Sequence, residues 1–183
     1  NLSVVFIDTM GIFWSMKFPN DQQIELLEKW NMQPRGFDNV KVYVPHKQVE
    51  EFQKSNIPID FGISIAPYEF SAEDWLLAFN LKRTESTGIA LEKNINELLE
   101  LNQKYTIEDL ITKIKDDAET PDEIKNALNN MLTVANQWGV FGEGTSIEEI
   151  IKPGQISVVD VSRLRQTEAW SVRNLIVAII ARK

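Results

Sequence analysis

The sequence has 183 residues, 43% hydrophobic and 25% charged, which fits one globular domain or one domain with an insertion and argues against overall disorder. The absence of cysteine excludes disulfides, thiolate metal sites and cysteine nucleophiles, and a single histidine excludes a multi-histidine zinc site. A formal net charge of -8 excludes a protein that binds nucleic acid through bulk charge. Since neither a signal peptide nor a bilayer-length apolar run is present, we expect a cytoplasmic protein without membrane contact.

The first third of the chain alternates predicted strands and helices. Short apolar runs without polar alternation are typical of strands that are buried on both faces of a parallel sheet. Such a run predicts a strand over residues 3–8, the apolar run 40–44 predicts a second strand, and alternating character predicts a third over 59–66. Apolar residues at helical spacing predict a helix from residue 20 or 21 to about residue 32 and a short helix over 47–54.

The middle of the sequence has helical periodicity. SAED (71–74) is a capping box that opens one helix, residues 87–103 form a second, Thr106 begins a third, and Thr120-Pro121 begins a fourth. Residues 82–130 contain seven basic and eleven acidic side chains, so this region is an acidic helical block.

The last part of the chain returns to a strand followed by a helix. A short helix over 147–151 precedes a predicted strand over 155–162 and a last helix over 168–182. The element order predicts an α/β sheet interrupted by a helical insertion. We expect residues 1–81 to be the first part of the sheet domain, 82–150 the insertion, and 151–183 the returning strand and helix. Because both termini lie against core-like elements, we expect a piece of a larger protein.

Asp8 is the first candidate site residue. It ends the first predicted strand, and ligands of open α/β sheets bind outside the carboxyl ends of the strands. A carboxylate there would hold a magnesium ion, orient a water molecule or contact a ribose. The alternative is that Asp8 caps the DTMG turn that follows it. Asp160, near the end of the last strand, is expected to have a structural partner, because buried carboxylates need one.

Arg163 and Arg165 follow the end of the last predicted strand at residue 162 within three residues. They lie in residues 155–183, which carry five basic and two acidic side chains, whereas the rest of the chain is strongly acidic. Paired guanidinium groups at such an edge bind phosphate, DNA or a neighbouring subunit. The alternative is a solvated loop with surface ion pairs. No metal site is predicted.

A phosphate-binding loop is absent from these residues. The motif GxxxxGK[ST] places backbone amides and a lysine around the phosphates, and the sequence contains no Gly-Lys pair. The Gly-rich stretch 142–146 lacks the lysine and a preceding strand, and we interpret it as a turn that leads into a helix.

Four segments, in order, resemble archaeal ATPases of the HerA/FtsK superfamily. In the first, an apolar strand ends in Asp and Gly follows three residues later, as in the segment after the phosphate-loop helix of those ATPases. The segments are VVFIDTMGIFWSMKFPN (4–20), ISIAPYEFSAEDW (63–75), the helical stretch that ends in LTVANQWGVF (132–141), and KPGQISVVDVSRLR with the helix LIVAIIARK.

The resemblance implies the middle part of such an ATPase, with a partial RecA-like, P-loop NTPase-type parallel sheet and an inserted helical lobe. The phosphate loop would precede residue 1, and the paired acidic residues of the nucleotide site would follow residue 183. Asp8 matches an acidic residue that lies near the nucleotide in the family. No other catalytic residue is carried over.

The family consists of hexameric rings that use ATP and Mg to translocate double-stranded DNA, and its HerA branch works with a nuclease in DNA end processing. The resemblance therefore implies ATP and Mg as cofactors of the parent protein, and sister subunits, DNA and a nuclease as partners. We expect the isolated chain to bind no cofactor and to be inactive. The alternative is a stand-alone interaction module whose acidic helical lobe binds a protein.

Overall fold

The computed structural model describes residues 2–164 and 172–182. The chain divides into two units. The first consists of residues 1–62 and 146–163, and the second of residues 63–145 and 164–183. The sequence suggests different boundaries, with an inserted helical lobe over residues 82–150. That division of the domain stays a prediction.

Four strands and eight helices make up the described residues. The strands are β1 (Val4–Asp8), β2 (Val40–Pro45), β3 (Phe61–Ile63) and β4 (Ile156–Asp160). The helices are α1 (Ile24–Lys29), α2 (Val49–Lys54), α3 (Ala72–Ala78), α4 (Ser86–Glu100), α5 (Ile107–Asp116), α6 (Asp122–Asn136), α7 (Ile147–Ile150) and α8 (Val172–Arg182). Within the described ranges, no helix is both long enough and apolar enough to cross a membrane.

The strands form a parallel sheet in the order β1-β4-β2-β3. Strand β4 is central, and its residue Ile156 pairs with Val4 on one side and Val40 on the other. Valine and isoleucine dominate these strands because branched side chains suit a sheet that is buried on both faces. The prediction that the strands near residues 3–8 and 155–162 are parallel members of one sheet is confirmed. The α/β fold class is confirmed with it.

Two predicted elements are longer than the observed ones. Strand β3 has three residues where alternation predicted eight, and helix α1 has six where the periodicity predicted about twelve. The helix ends before Asn31, which has a φ of 53°, and none of its residues is buried. Apolar spacing alone predicted the longer helix, but a helix that buries none of its side chains forms few turns.

Asp60 connects β2 to the segment that leads into β3. Its Oδ2 accepts hydrogen bonds from the Val42 backbone N–H at 2.7 Å and from the Lys17 ammonium, and Lys41 lies 3.4 Å from Oδ1. Burial alone would raise the pKa of Asp60, but the bonds from Lys17 and Val42 outweigh it and lower the pKa below its ordinary value of 3.8.

We expect Asp60→Asn to destabilise the first unit by about 1–2 kcal/mol at neutral pH, because the amide loses the charge-assisted bond from Lys17. The folded-state pKa is depressed, so the contribution of the ionised carboxylate is present above the unfolded-state pKa and is lost as the pH falls through the folded-state value. Urea unfolding at several pH values measures the difference, which should shrink toward acid. A difference that grows toward acid would contradict this assignment.

The second unit has an aromatic and aliphatic core. Trp75 is fully buried and lies between Phe70 and Phe141, with ring centroids 5.0 and 5.4 Å away. The long helices contribute buried aliphatic side chains at helical spacing: Leu91 and Ile95 from α4, Leu110 and Ile114 from α5, and Leu128 and Leu132 from α6. This spacing explains why the periodicity of the sequence identified these helices.

Capping residues fix where the helices of the second unit begin. The predicted capping box at Ser71 is confirmed, with the Asp74 N–H bonded to the Ser71 hydroxyl at 3.2 Å and the Asp74 carboxylate bonded to the Ser71 N–H at 2.8 Å. Thr106 and Asp109 form the same arrangement at the start of α5. Helix α6 begins one residue later than predicted, with Pro121 as its cap.

Candidate functional site

Two carboxylates lie side by side at the carboxyl edge of the sheet in the first unit. Asp8 ends β1, Asp160 ends β4, and the parallel register pairs them directly. Both side chains are fully buried. This is the edge of a parallel α/β sheet at which ligands bind, so it is the candidate functional site.

Asp8 organises the loop that follows β1. Each of its two carboxylate oxygens accepts two backbone N–H groups, at 2.7–2.9 Å. The donors are Met10 and Gly11 to Oδ1, and Ile12 and Phe13 to Oδ2. The carboxylate therefore accepts hydrogen bonds from four backbone N–H groups for which no strand or helix provides an acceptor. This geometry matches the turn-capping alternative for Asp8, and it leaves Asp8 poorly suited to bind a metal ion directly.

Gly11 lets this loop lie against the end of β4. Its φ is 70°, and a Cβ there would lie 2.6 Å from the Ser162 hydroxyl and 3.6 Å from Asp160 Oδ2. The Gly11 carbonyl accepts a 2.8 Å bond from the Trp14 indole, which anchors the far side of the loop. A residue with a side chain would meet both an unfavourable backbone conformation and a contact that is too short.

Asp160 is only half satisfied. Its Oδ1 accepts the Ser162 N–H at 2.9 Å, whereas no hydrogen bond reaches Oδ2 from the described part of the chain. Burial raises the pKa of Asp160 and the charge of Asp8 raises it further. The side chain of Ser162, its backbone N–H and the charge of Arg163 oppose this rise. The structural partner expected for Asp160 is thus present on one oxygen and missing on the other.

Arg163 lies against helix α2. Its guanidinium donates to the Glu51 carbonyl and carboxylate at 3.1 and 3.2 Å, and it lies 4.2 Å from the centre of the Phe52 ring. The backbone carbonyl of Arg163 accepts a bond from Gln48 at 3.5 Å. Arg165, the second predicted contact residue, lies outside the described residues.

The segment that contains the loop and helix α1 exposes many large apolar side chains. Residues 10–37 contain eight large apolar side chains that are each about half or more exposed. They are Met10, Ile12, Phe18, Ile24, Leu26, Trp30, Met32 and Phe37. By contrast, Phe13, Trp14 and Met16 pack partly against the buried core. An exposed apolar surface of this kind marks a contact with another chain or segment.

Almost the whole chain is matched by the model of a known family. A family model described as "Helicase HerA, central domain" matches residues 1–181. The chain belongs to this family. A comparison with curated proteins gives no match. The match supports the HerA/FtsK-type family that the sequence resembles, and the observed parallel sheet is consistent with a RecA-like P-loop domain.

A site for ATP and Mg at this edge needs donors for the phosphates and carboxylate oxygens that are free to bind the metal ion. Asp8 already accepts four N–H groups, the free oxygen of Asp160 is buried, and the sequence offers no Gly-Lys pair for the phosphates. In the described residues, no group of three or more acidic or histidine side chains is arranged to hold a metal ion. These residues alone do not form a nucleotide–magnesium site.

The sequence did not reveal the unsatisfied oxygen of Asp160. The stretch VVDVS is equally compatible with a carboxylate whose two oxygens are both hydrogen-bonded. Whether a neighbouring strand supplies a donor cannot be seen in the residues around Asp160. The only signal was the position of Asp160 at a strand end that aligns with Asp8, which becomes visible once the register is known.

Proposed function

We propose that this chain is the central part of a HerA-like ATPase that translocates or processes double-stranded DNA. The observation that carries the proposal is the family match over residues 1–181, supported by the parallel sheet with β4 at its centre. In this proposal the parent protein binds ATP and Mg, its subunits form a ring of six, and a nuclease works with it in DNA end processing.

The nucleotide site of the parent would combine this sheet edge with residues beyond these 183. The edge contributes the Asp8 loop, whose backbone is fixed by four hydrogen bonds and needs little ordering when a nucleotide arrives. Asp8 then acts near the nucleotide by holding that loop. Because the phosphate loop is missing, the isolated chain is expected to hydrolyse no ATP.

The exposed apolar surface of residues 10–37 supports a ring. In a subunit that stands alone, these eight side chains face water, which is unfavourable for so large an apolar area. Contacts with a sister subunit or with other parts of the parent protein would bury them.

DNA contact in the parent ring is assigned to Arg163 and Arg165. In the described structure Arg163 is paired with Glu51, so its contact with a phosphate requires an exchange of partners. Two arginines per chain bind weakly, but six chains around a pore would present twelve and add their contacts through effective concentration. The isolated chain, with a net charge of -8, is expected to bind duplex DNA negligibly.

We expect Arg163→Ala with Arg165→Ala, introduced into the full-length parent protein, to weaken duplex binding and DNA-stimulated ATP hydrolysis by roughly tenfold or more. The slope of log affinity against log salt should also fall, because each lost phosphate contact removes about one released counterion. Fluorescence anisotropy with a labelled duplex at four salt concentrations measures both quantities.

The matched control removes two exposed positive charges elsewhere in the first unit, Arg35→Ala with Lys152→Ala. It should leave the affinity and the salt slope nearly unchanged. If the Arg163 and Arg165 variant behaves like this control, the two arginines are surface or subunit-contact residues. If the full-length protein with its phosphate loop shows no ATP hydrolysis at all, the proposed function itself fails.

A further inference from the structure

The second unit contains a cavity of about 540 Å³ that plays no part in the proposed nucleotide site. Four segments of the chain line it: the turn at Tyr68, the loop and first residues of α5, the end of α6, and the loop 141–143. A volume of this size lies within the range of pockets that bind small ligands and the side chains of peptides.

The walls of the cavity are held in place by contacts within the unit. The Tyr68 hydroxyl donates to the Glu143 carbonyl at 3.1 Å, and the Asn136 amide donates to the Glu108 carboxylate at 2.8 Å. The rings of Tyr68 and Tyr105 meet edge to face, with centroids 6.4 Å apart. Because these contacts exist without a ligand, binding would need little reorganisation.

Aromatic rings and carboxylates divide the cavity into two chemical parts. Tyr68, Tyr105 and Phe141 form an aromatic wall, and burial raises the pKa of Tyr105 to about 12, so its hydroxyl stays neutral. The exposed rim carries the carboxylates of Glu108 and Glu143 and one cation, Lys104. Lys104 already lies 5.8 Å from the Tyr68 ring centre, which shows that this wall accepts a cation.

The region that forms this cavity is strongly acidic. Residues 63–145 contain seven basic and fifteen acidic side chains, a formal net charge of -8, which equals that of the entire chain. A surface with this field attracts basic ligands and repels the phosphates of nucleic acids. Charge complementarity therefore favours a basic protein segment as the occupant.

We propose that this cavity binds an extended segment of a partner protein in which arginine lies next to proline. Proline-containing segments are already extended, and they dock into grooves that aromatic side chains line. The proline would lie on the wall formed by Tyr68 and Phe141, and the guanidinium would pair with Glu108 and Glu143. The site makes the acidic helical unit a recruitment surface, independent of ATP and DNA.

The test is a titration of the ¹⁵N-labelled 183-residue chain with a nine-residue peptide made of three Pro-Pro-Arg repeats. Amide shifts should concentrate at residues 104–108 and 142–143. Glu108→Gln with Glu143→Gln should weaken binding by about tenfold or more, because both ion pairs are lost while the hydrogen-bonding shape of the side chains is kept. The dispersion of the same spectra shows whether each variant is folded.

Two controls test whether binding depends on the position of the acidic residues and on the positive charge of the peptide. Asp122→Asn with Glu123→Gln removes two acidic charges at the opposite end of α6, about 20 Å from Asn136, and should change the affinity by less than about twofold. A peptide of Pro-Pro-Glu repeats should not bind.

Several results would overturn the proposal. One is the absence of binding by the Pro-Pro-Arg peptide up to about 1 mM, and another is equal binding by the Pro-Pro-Glu peptide. Shifts that lie away from the cavity would have the same meaning. Equal shifts caused by a duplex oligonucleotide would assign the surface to nucleic acid. Concentration-dependent shifts at the cavity without any peptide would assign it to a second copy of the chain. None of these outcomes bears on ATP hydrolysis, so the proposed function stands or fails separately.

Discussion

Asp8→Asn is expected to lower the free energy of unfolding of the first unit by about 3–5 kcal/mol. The carboxylate is fully buried and accepts two N–H groups on each oxygen. An amide has only one acceptor oxygen, so its NH₂ group would face two backbone donors and leave both unsatisfied. Urea unfolding, together with hydrogen exchange of the amides of residues 10–13, measures the effect, and those amides should lose their protection first.

The matched control is Asp38→Asn, an exposed substitution of the same type in the same unit. It should change the stability by less than about 0.5 kcal/mol. If Asp8→Asn is equally mild and residues 10–13 keep their protection, the loop is ordered by its aromatic packing, and Asp8 is available for another role. That result would return the magnesium and water-orienting alternatives to consideration.

Patterns that act over a few residues predicted much of this fold. The apolar runs of β1 and β4 form neighbouring parallel strands as expected, and β4, which lies inside the sheet, is buried over Ser157–Asp160. The capping boxes at Ser71 and Thr106 identified two helix starts because the serine or threonine and the acid three residues later bond within one turn. Such bonds need no distant partner.

Prediction was wrong where packing decides the outcome. Apolar spacing predicted a helix from residue 20 or 21 to about residue 32, yet α1 covers only Ile24–Lys29, and Trp30 is 74% exposed. The same spacing also fits an exposed apolar helix face that another chain would cover. A single sequence does not show which surface a helix meets, so it does not separate these two cases.

The candidate sites show the same limit. A strand-end Asp predicts either a ligand site or a turn cap. The four N–H bonds of Asp8 fit the turn cap, and its role near the nucleotide stays a proposal. The cavity joins Tyr68, Glu108 and Glu143, which are far apart in the sequence and share no motif. Their proximity results from how α5 and α6 pack, and no local pattern records it.

Whereas Asp8→Asn is expected to destabilise the first unit, Asp160→Asn is expected to stabilise it by about 1–2 kcal/mol at neutral pH. The amide oxygen keeps the bond from the Ser162 N–H, and no charge is buried beside Asp8. Burial raises the folded-state pKa of Asp160 above its ordinary value of 3.8, so the native state binds the proton more tightly than the unfolded chain. Wild-type stability therefore declines as the pH rises through this range.

The asparagine variant does not titrate at this position, so its advantage should be near zero at about pH 3, where Asp160 is protonated in both states, and complete at neutral pH. Urea unfolding of both proteins at five pH values gives the curve, with Asp38→Asn as the flat reference. A variant that is less stable than wild type at every pH would show that the Asp160 carboxylate has a stabilising partner. A gain limited to neutral pH would identify a buried carboxylate oxygen that folding does not need, held at the edge of the sheet where the proposed ATPase binds its nucleotide.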